Sequence, residues 1–150
     1  MAHTNLGRLL VQQGKFADAE AHYQKALLIN AQEDTVHYNY GNLLARAGRL
    51  DDAVTQYQQA LELVPEKAQT HCNLGFALNK LHRTDEAIAE YLRAIYYQPD
   101  LAEAYYDLGN ALSLEHKMDA AIAAYQRAVR LEPDSELFRK RLQALGAAAK

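Results

Sequence analysis

NLGFALNKLHRTDEAIAEYLRAIYYQP, residues 73–99, decides the fold, because its landmarks return along the chain at a fixed step. Asn73-Leu74-Gly75 is matched by Asn5-Leu6-Gly7, Asn39-Tyr40-Gly41 and Asp107-Leu108-Gly109, each 34 residues from the next. The same step links Ala19, Ala53, Ala87 and Ala121, then Tyr23, Tyr57, Tyr91 and Tyr125, then Ala26, Ala60, Ala94 and Ala128. A period of this length marks a stack of supersecondary units, each burying its apolar face against the next.

Within the stretch, Leu74, Leu78 and Leu81 fall at i, i+4 and i+7, and Ala87, Tyr91, Ala94 and Ile95 at i, i+4, i+7 and i+8. Both runs predict amphipathic helices. The breaks between them, Gly14-Lys15, Gly48-Arg49, His82-Arg83 and His116-Lys117, suit a left-handed helix stop. Second helices end before Pro65, Pro99 and Pro133, with Ala31 in that place in the first copy. A glycine inside a helix costs about 0.8–1 kcal/mol relative to alanine, so the four repeated ones together cost about 3–4 kcal/mol. Close helix approach must return that cost, and the alanine opening each second helix is the expected partner; Ala87→Leu is expected to overpack the crossing.

The pattern resembles the tetratricopeptide repeat family, whose 34-residue copies are antiparallel helix pairs. Its aromatic, leucine-glycine, alanine, aromatic, alanine and proline places are filled in the fourth copy by Tyr105, Leu108-Gly109, Ala121, Tyr125, Ala128 and Pro133. His3, His37 and His71 stand where the first aromatic belongs. The resemblance implies an all-α, right-handed solenoid of four helix pairs over 1–33, 34–67, 68–101 and 102–135. A capping helix over 136–145 follows, with Leu137, Phe138, Leu142 and Leu145 on its apolar face; residues 1–146 are read as a single solenoid and 147–150 as a flexible tail. Met1 falls inside the first helix with no cap ahead of it, which reads as an array continued upstream or an end covered by a partner.

Other functions find little support. A formal charge of −3 on 150 residues offers no electrostatic footprint for nucleic acid or an anionic membrane. The single cysteine excludes an internal disulfide, and no signal segment or membrane-spanning run is visible, compatible with a soluble, cytoplasmic chain. His71 and Cys72 are adjacent on a helix and point about 100° apart, so they do not form a base and nucleophile. His3, His37 and His71 lie a repeat apart, on the order of 10 Å, too far to share a metal. They are read as partly buried rings replacing an aromatic, and His22 as standing alone. The paired acids Asp51-Asp52 and Asp85-Glu86 complement helix dipoles. No metal, cofactor or catalytic residue is expected.

The remaining residues share one face of each first helix, at repeat positions 2, 5, 6, 9, 12 and 13, and are not needed by the core. The resemblance makes this face the ligand groove, carrying Asn5, Arg8, Tyr38, Asn39, Asn42, Cys72, Asn73, Phe76, Lys80, Tyr106, Asp107 and Asn110, with Thr4, Arg46 and Glu103 among their neighbours. An asparagine amide donates and accepts at once, so Asn5, Asn39 and Asn73 form a ladder able to hold an extended peptide by its backbone. Tyr38, Phe76 and Tyr106 add apolar contact at low entropic cost. The family's carboxylate clamp is not reproduced: in the register where Asn42 and Asn73 match, Tyr38, Glu103 and Asp107 occupy its basic places. The ladder is similar to that of O-linked N-acetylglucosamine transferase superhelices, with Asp107 breaking it. The chain is therefore expected to be a non-catalytic protein-interaction scaffold for an extended segment, the alternative being self-association through the first helix pair and its run Leu9-Leu10-Val11.

Overall fold

The computed structural model describes residues 2–146. Within them lie four helix pairs, α1 (Ala2–Gln12) with α2 (Phe16–Ile29), α3 (Asp34–Arg46) with α4 (Leu50–Leu63), α5 (Ala68–Lys80) with α6 (Thr84–Tyr97), and α7 (Ala102–Leu114) with α8 (Met118–Leu131), followed by α9 (Glu136–Ala144). Each helix packs chiefly on its chain neighbours, and first helices also touch the next first helix, which builds a right-handed solenoid. The expected tail 147–150 and the expectation at Met1 lie outside the described residues.

The turns inside the pairs have the geometry their residues predict. Gly14 and Gly48 take φ of 74° and 78°, and His82 and His116 take 61° and 56°. At the third pair, His82 N–H donates to Asn79 O (3.1 Å) and Arg83 N–H to Leu78 O (2.9 Å), closing the paired bonds of a Schellman stop. The acidic pairs do open α4 and α6, and Arg49 ties Asp52 to Glu20 of the preceding pair, at 2.8 Å each.

The repeated glycines face a different partner from the one the sequence suggests. A Cβ placed on Gly7, Gly41, Gly75 or Gly109 would lie 2.7 Å from Cε1 of Tyr23, Tyr57, Tyr91 or Tyr125. The ring of the second helix, not its opening alanine, occupies the missing side chain's space. These four tyrosines are the largest fully enclosed side chains. Ala87 is itself completely buried, so it belongs to the same tight crossing without touching the glycine's vacant volume.

His37 and His71 do more than replace an aromatic. Nε2 of His71 donates to Pro65 O (2.8 Å), Nδ1 bonds Glu90 Oε2 (2.6 Å), and the ring stacks on Tyr97 at 5.5 Å. Carbonyl and carboxylate both accept, so this arrangement needs a proton in each bond. Arg93 completes the cluster by pairing with Glu90. His37 repeats the bridge to Ala31 O (3.0 Å) and Gln56 Oε1 (2.8 Å). In the first pair, His3 Nδ1 meets His22 Nδ1 at 2.8 Å, so His22 does not stand alone. These histidines tie a first helix to its own second helix, and His37 and His71 also to the turn before it. No group of three candidate metal ligands occurs among the described residues.

At the far end α9 caps the stack with Phe138 and Leu142 buried, started by Ser135 accepting from Phe138 N–H. It ends one residue before the expected Leu145. Leu137, expected on the apolar face, points outward because Phe138 and Leu142, four residues apart, set which side meets α8. At the first pair, Leu10 and Val11 pack on the core while Leu6 and Leu9 are exposed, so only part of the expected apolar run is open.

Gly75→Ala is expected to destabilise the fold by about 1–3 kcal/mol, since an enclosed ring cannot retreat from a contact this short. Ala87→Leu should cost a similar amount, and thermal melting checks both; an unchanged melting temperature for Gly75→Ala would contradict the packing assigned to Tyr91.

Candidate functional site

The exposed face of the first helices forms a groove of three successive hollows. The first, about 830 Å³, is lined by Asn5, Arg8, Tyr38, Asn39 and Gln69, and by Tyr97 and Gln98. The second, about 520 Å³, runs from Arg8 through Asn39, Asn42 and Asn73 to Phe76, Glu103 and Asp107. A third, about 240 Å³, holds Phe76, Lys80, Asp107 and Asn110, closed by Arg141 of α9. The expected groove residues therefore converge, with Tyr106 as the exception. Its ring stacks on Phe138 at 4.9 Å and leans on Tyr125 at 5.7 Å, so it joins the solenoid to its cap instead of lining a hollow.

The face is also more deeply engaged in packing than helical spacing suggests. Thr4 and Cys72 are buried, which corrects the expectation that these positions are dispensable to the core. Asn42 Oδ1 accepts from both the Tyr57 hydroxyl and Asn73 Nδ2, each at 2.8 Å. Asn73 Oδ1 accepts from Gln69 Nε2 at 3.2 Å, and Asn110 Oδ1 accepts from the Tyr125 hydroxyl at 2.8 Å. In the second and fourth pairs, asparagine one residue after the packing glycine thus anchors the tyrosine that covers that glycine; Arg8 and Phe76 stand there in the other two. Of the three-rung ladder, Asn73 is committed internally, whereas the side chains of Asn5 and Asn39 line the first hollow with no internal hydrogen bond among the described residues.

Sequence reasoning missed Glu66, Lys67, Tyr97 and Gln98, which also border the first hollow. Glu66 and Lys67 come from the turn leading into α5, and Tyr97 and Gln98 from the end of α6, outside the helical face whose spacing was read. Lys67 pairs with Asp34, 33 positions earlier, clasping two turns. An acid opening α3 and a base just before α5, 33 positions apart, were the available signal.

Charge is distributed unevenly. Burial raises the Asp107 carboxyl from its ordinary 3.8 to about 6, helped by the nearby Glu103 and opposed by hydrogen bonds from Asn110 and Cys72. Its contact with Cys72 Sγ is long, 3.9 Å. Burial, with Asp107 and Glu103 adding to it, pushes the Cys72 thiol far up, so this sulfur is a packed groove floor and not an open, groove-facing thiol. That environment is the reverse of the electropositive, exposed one in which reactive cysteines occur.

Two measurements follow. Native protein should react negligibly with a thiol reagent at pH 8, and one equivalent should appear on unfolding. For Asp107, the folded state binds the proton more tightly than the unfolded chain, so its contribution to stability is greatest below about pH 4 and is lost as pH rises to about 6. Asp107→Asn should remove that slope between pH 4 and 6 in denaturant titrations, leaving the stability difference from the parent protein constant above pH 7.

Comparison with known proteins agrees with this architecture. Models described as tetratricopeptide repeat match residues 4–69, 56–89 and 102–135, and one described as TPR repeat matches 77–114. No curated protein sequence matches. Among solved structures, MamA is similar at 24% identity and a TM-score of 0.87, over 93% of this chain and 81% of that one. Pseudomonas aeruginosa PilF is similar at 22% identity and TM-score 0.88, over 96% and 66% of the two chains. The first repeat domain of Spaghetti (RPAP3), solved with the HSP90 peptide SRMEEVD, gives 22% identity and TM-score 0.74 over 78% of this chain and 93% of that one. At these identities the likeness is one of fold, and with family models covering residues 4 to 135 between them the chain belongs to the tetratricopeptide repeat family.

Proposed function

We propose that the protein is a non-catalytic interaction scaffold that holds an extended segment of a partner protein in the groove of its first helices. The observation that carries this reading is the pair of unengaged amides, Asn5 and Asn39, placed beside Arg8 and Tyr38 on a hollow of about 830 Å³. Both amides can donate and accept, which suits peptide backbone irrespective of side chains. Tyr38, packed near Tyr57 at 6.4 Å, offers a ring already held in place, so little rotamer freedom is lost on binding. The reading keeps the backbone-gripping idea of the asparagine ladder but rests it on Asn5 and Asn39. Binding of an HSP90 peptide is a property of the RPAP3 domain; it supports the reading by showing that a domain of this fold takes a peptide ligand.

Two side chains that could suggest catalysis are otherwise engaged. Cys72 is buried and held as a thiol, and the His71 ring is fully occupied by Pro65, Glu90 and Tyr97. Neither has a free reactive atom facing the groove.

A second reading, self-association through the first helix pair, is favoured by one observation: Leu6, Leu9, Leu28 and Ile29 are all exposed there. It predicts a concentration-dependent dimer in sedimentation velocity.

For the groove, a partner captured from the native source and then purified provides the test. Asn5→Ala with Asn39→Ala should weaken its binding by about tenfold or more, the value of two hydrogen-bonded amides at about 1 kcal/mol each, while melting is unchanged. Undiminished affinity in that folded double variant overturns the groove assignment.

A further inference from the structure

We infer that the groove selects its occupant by charge order: an extended segment carrying acidic side chains at one end, over Arg8 and Arg46, and basic side chains at the other, over Glu103 and Asp107. This deepens the proposed function and rests on it.

The second hollow takes its walls from α1, α3, α5 and α7, which sets Arg8 and Arg46 on one side and Glu103 and Asp107 on the other. Among the described residues none of these four is in an ion pair. Arg46 lies over the Phe16 ring at 5.4 Å, and Glu103 accepts only from the Gln69 amide at 3.1 Å. Asp107 is the most constrained. It is held in a partly buried place with a distant thiol and an amide as partners, so much of its water has already been given up in folding. A cation arriving there gains a charged hydrogen bond without the protein's carboxylate having to be stripped further. Phe76, half exposed between the second and third hollows, already carries the Lys80 ammonium 5.4 Å from its ring centre, so its face accepts cations.

The neighbouring charges are consistent with this assignment. Lys80 and Arg141 share the third hollow with Asp107, but Lys80 is drawn onto Phe76 and Arg141 is turned to the Tyr125 hydroxyl at 3.2 Å, and among the described residues neither pairs with the carboxylate. Lys67 is satisfied by Asp34. A uniformly acidic segment meets repulsion at Glu103 and Asp107, and a uniformly basic one meets it at Arg8 and Arg46, so each wrong pattern is rejected at one end. From α3 to α7 is two helix steps of about 8–10 Å, which an extended chain covers in roughly five or six residues at about 3.3 Å each. The two charge blocks of the ligand should therefore be separated by about five residues.

The test uses the full chain and four fluorescein-labelled synthetic peptides of equal length built on a Ser/Ala backbone. One carries two Glu at one end and two Lys at the other, separated by five neutral residues; a second has the same residues interleaved; a third is uniformly acidic and a fourth uniformly basic. Fluorescence anisotropy should show the block peptide binding about tenfold tighter than any other, as two modest charge pairs at each end supply. Glu103→Gln with Asp107→Asn should abolish its advantage over the acidic peptide. Arg8→Gln with Arg46→Gln should abolish its advantage over the basic one. Both variants are checked by thermal melting; Glu103→Gln and Asp107→Asn keep the side-chain volume in the groove, whereas Arg8→Gln and Arg46→Gln shorten the side chain, and Arg46→Gln also removes the contact with the Phe16 ring. Equal binding of all four peptides, no binding of any, or a preference that survives both variants in folded form overturns charge-order selection. The groove reading stands or falls separately, on the Asn5 and Asn39 variants with the captured partner.

Discussion

A tyrosine ring lying where a glycine has no side chain is the contact on which the remainder depends. Repeated at Gly7, Gly41, Gly75 and Gly109, it brings the two helices of each pair close enough that alanines such as Ala53, Ala87 and Ala121 pack with no accessible surface. The glycine's helix penalty, about 1 kcal/mol at each place, is offset by enclosing an aromatic side chain worth more than that in removed apolar surface. The phenol oxygen then emerges toward the groove, where Asn42 and Asn110 accept its proton from Tyr57 and Tyr125. Core packing and groove chemistry are thus two ends of one side chain.

The repeat step, the helix pairs, the left-handed turns and the cap were all legible in the sequence, because each follows from local spacing or from a residue type with a narrow conformational preference. What spacing cannot reveal is which atom fills a gap. The partner of Gly75 is Tyr91, sixteen positions on and in another helix, and a helical wheel of either helix alone does not show the ring lying across. The same limit explains the groove. Helical spacing put twelve residues on one face, but spacing does not distinguish a free amide at Asn39 from an engaged one at Asn73, nor an open thiol from the enclosed one at Cys72. Tyr106 shows the effect of a neighbour from outside the repeat: α9 brings Phe138 against it and removes it from the groove.

Histidine in the first-aromatic place changes the character of the repeat junctions. A purely aromatic ring would contribute contact area alone. His37 and His71 add directed bonds at both nitrogens, and each reaches the carbonyl of the turn that precedes its own helix. The junction before α5 is therefore fixed in angle as well as in distance, with Lys67 and Asp34 clasping it from the groove side. Rigid spacing between first helices matters for any occupant that spans several of them, because a ladder of contacts is only as regular as the frame holding it.

The tyrosine–glycine contact is closed within a single helix pair, and so, in the second and fourth pairs, is the tyrosine–asparagine bond at its outer end. A pair can consequently be duplicated or deleted as a unit, since no buried partner is left behind in the neighbouring copy by that contact. Lengthening the array in this way would add a new groove segment whose framework arrives complete. Subsequent change would then be concentrated at places like those of Asn5, Arg8, Arg46 and Glu103, which the framework does not hold fixed. In a lineage of such arrays, the positions tied to the ring should diverge slowly while those beside them record each copy's separate history of partners.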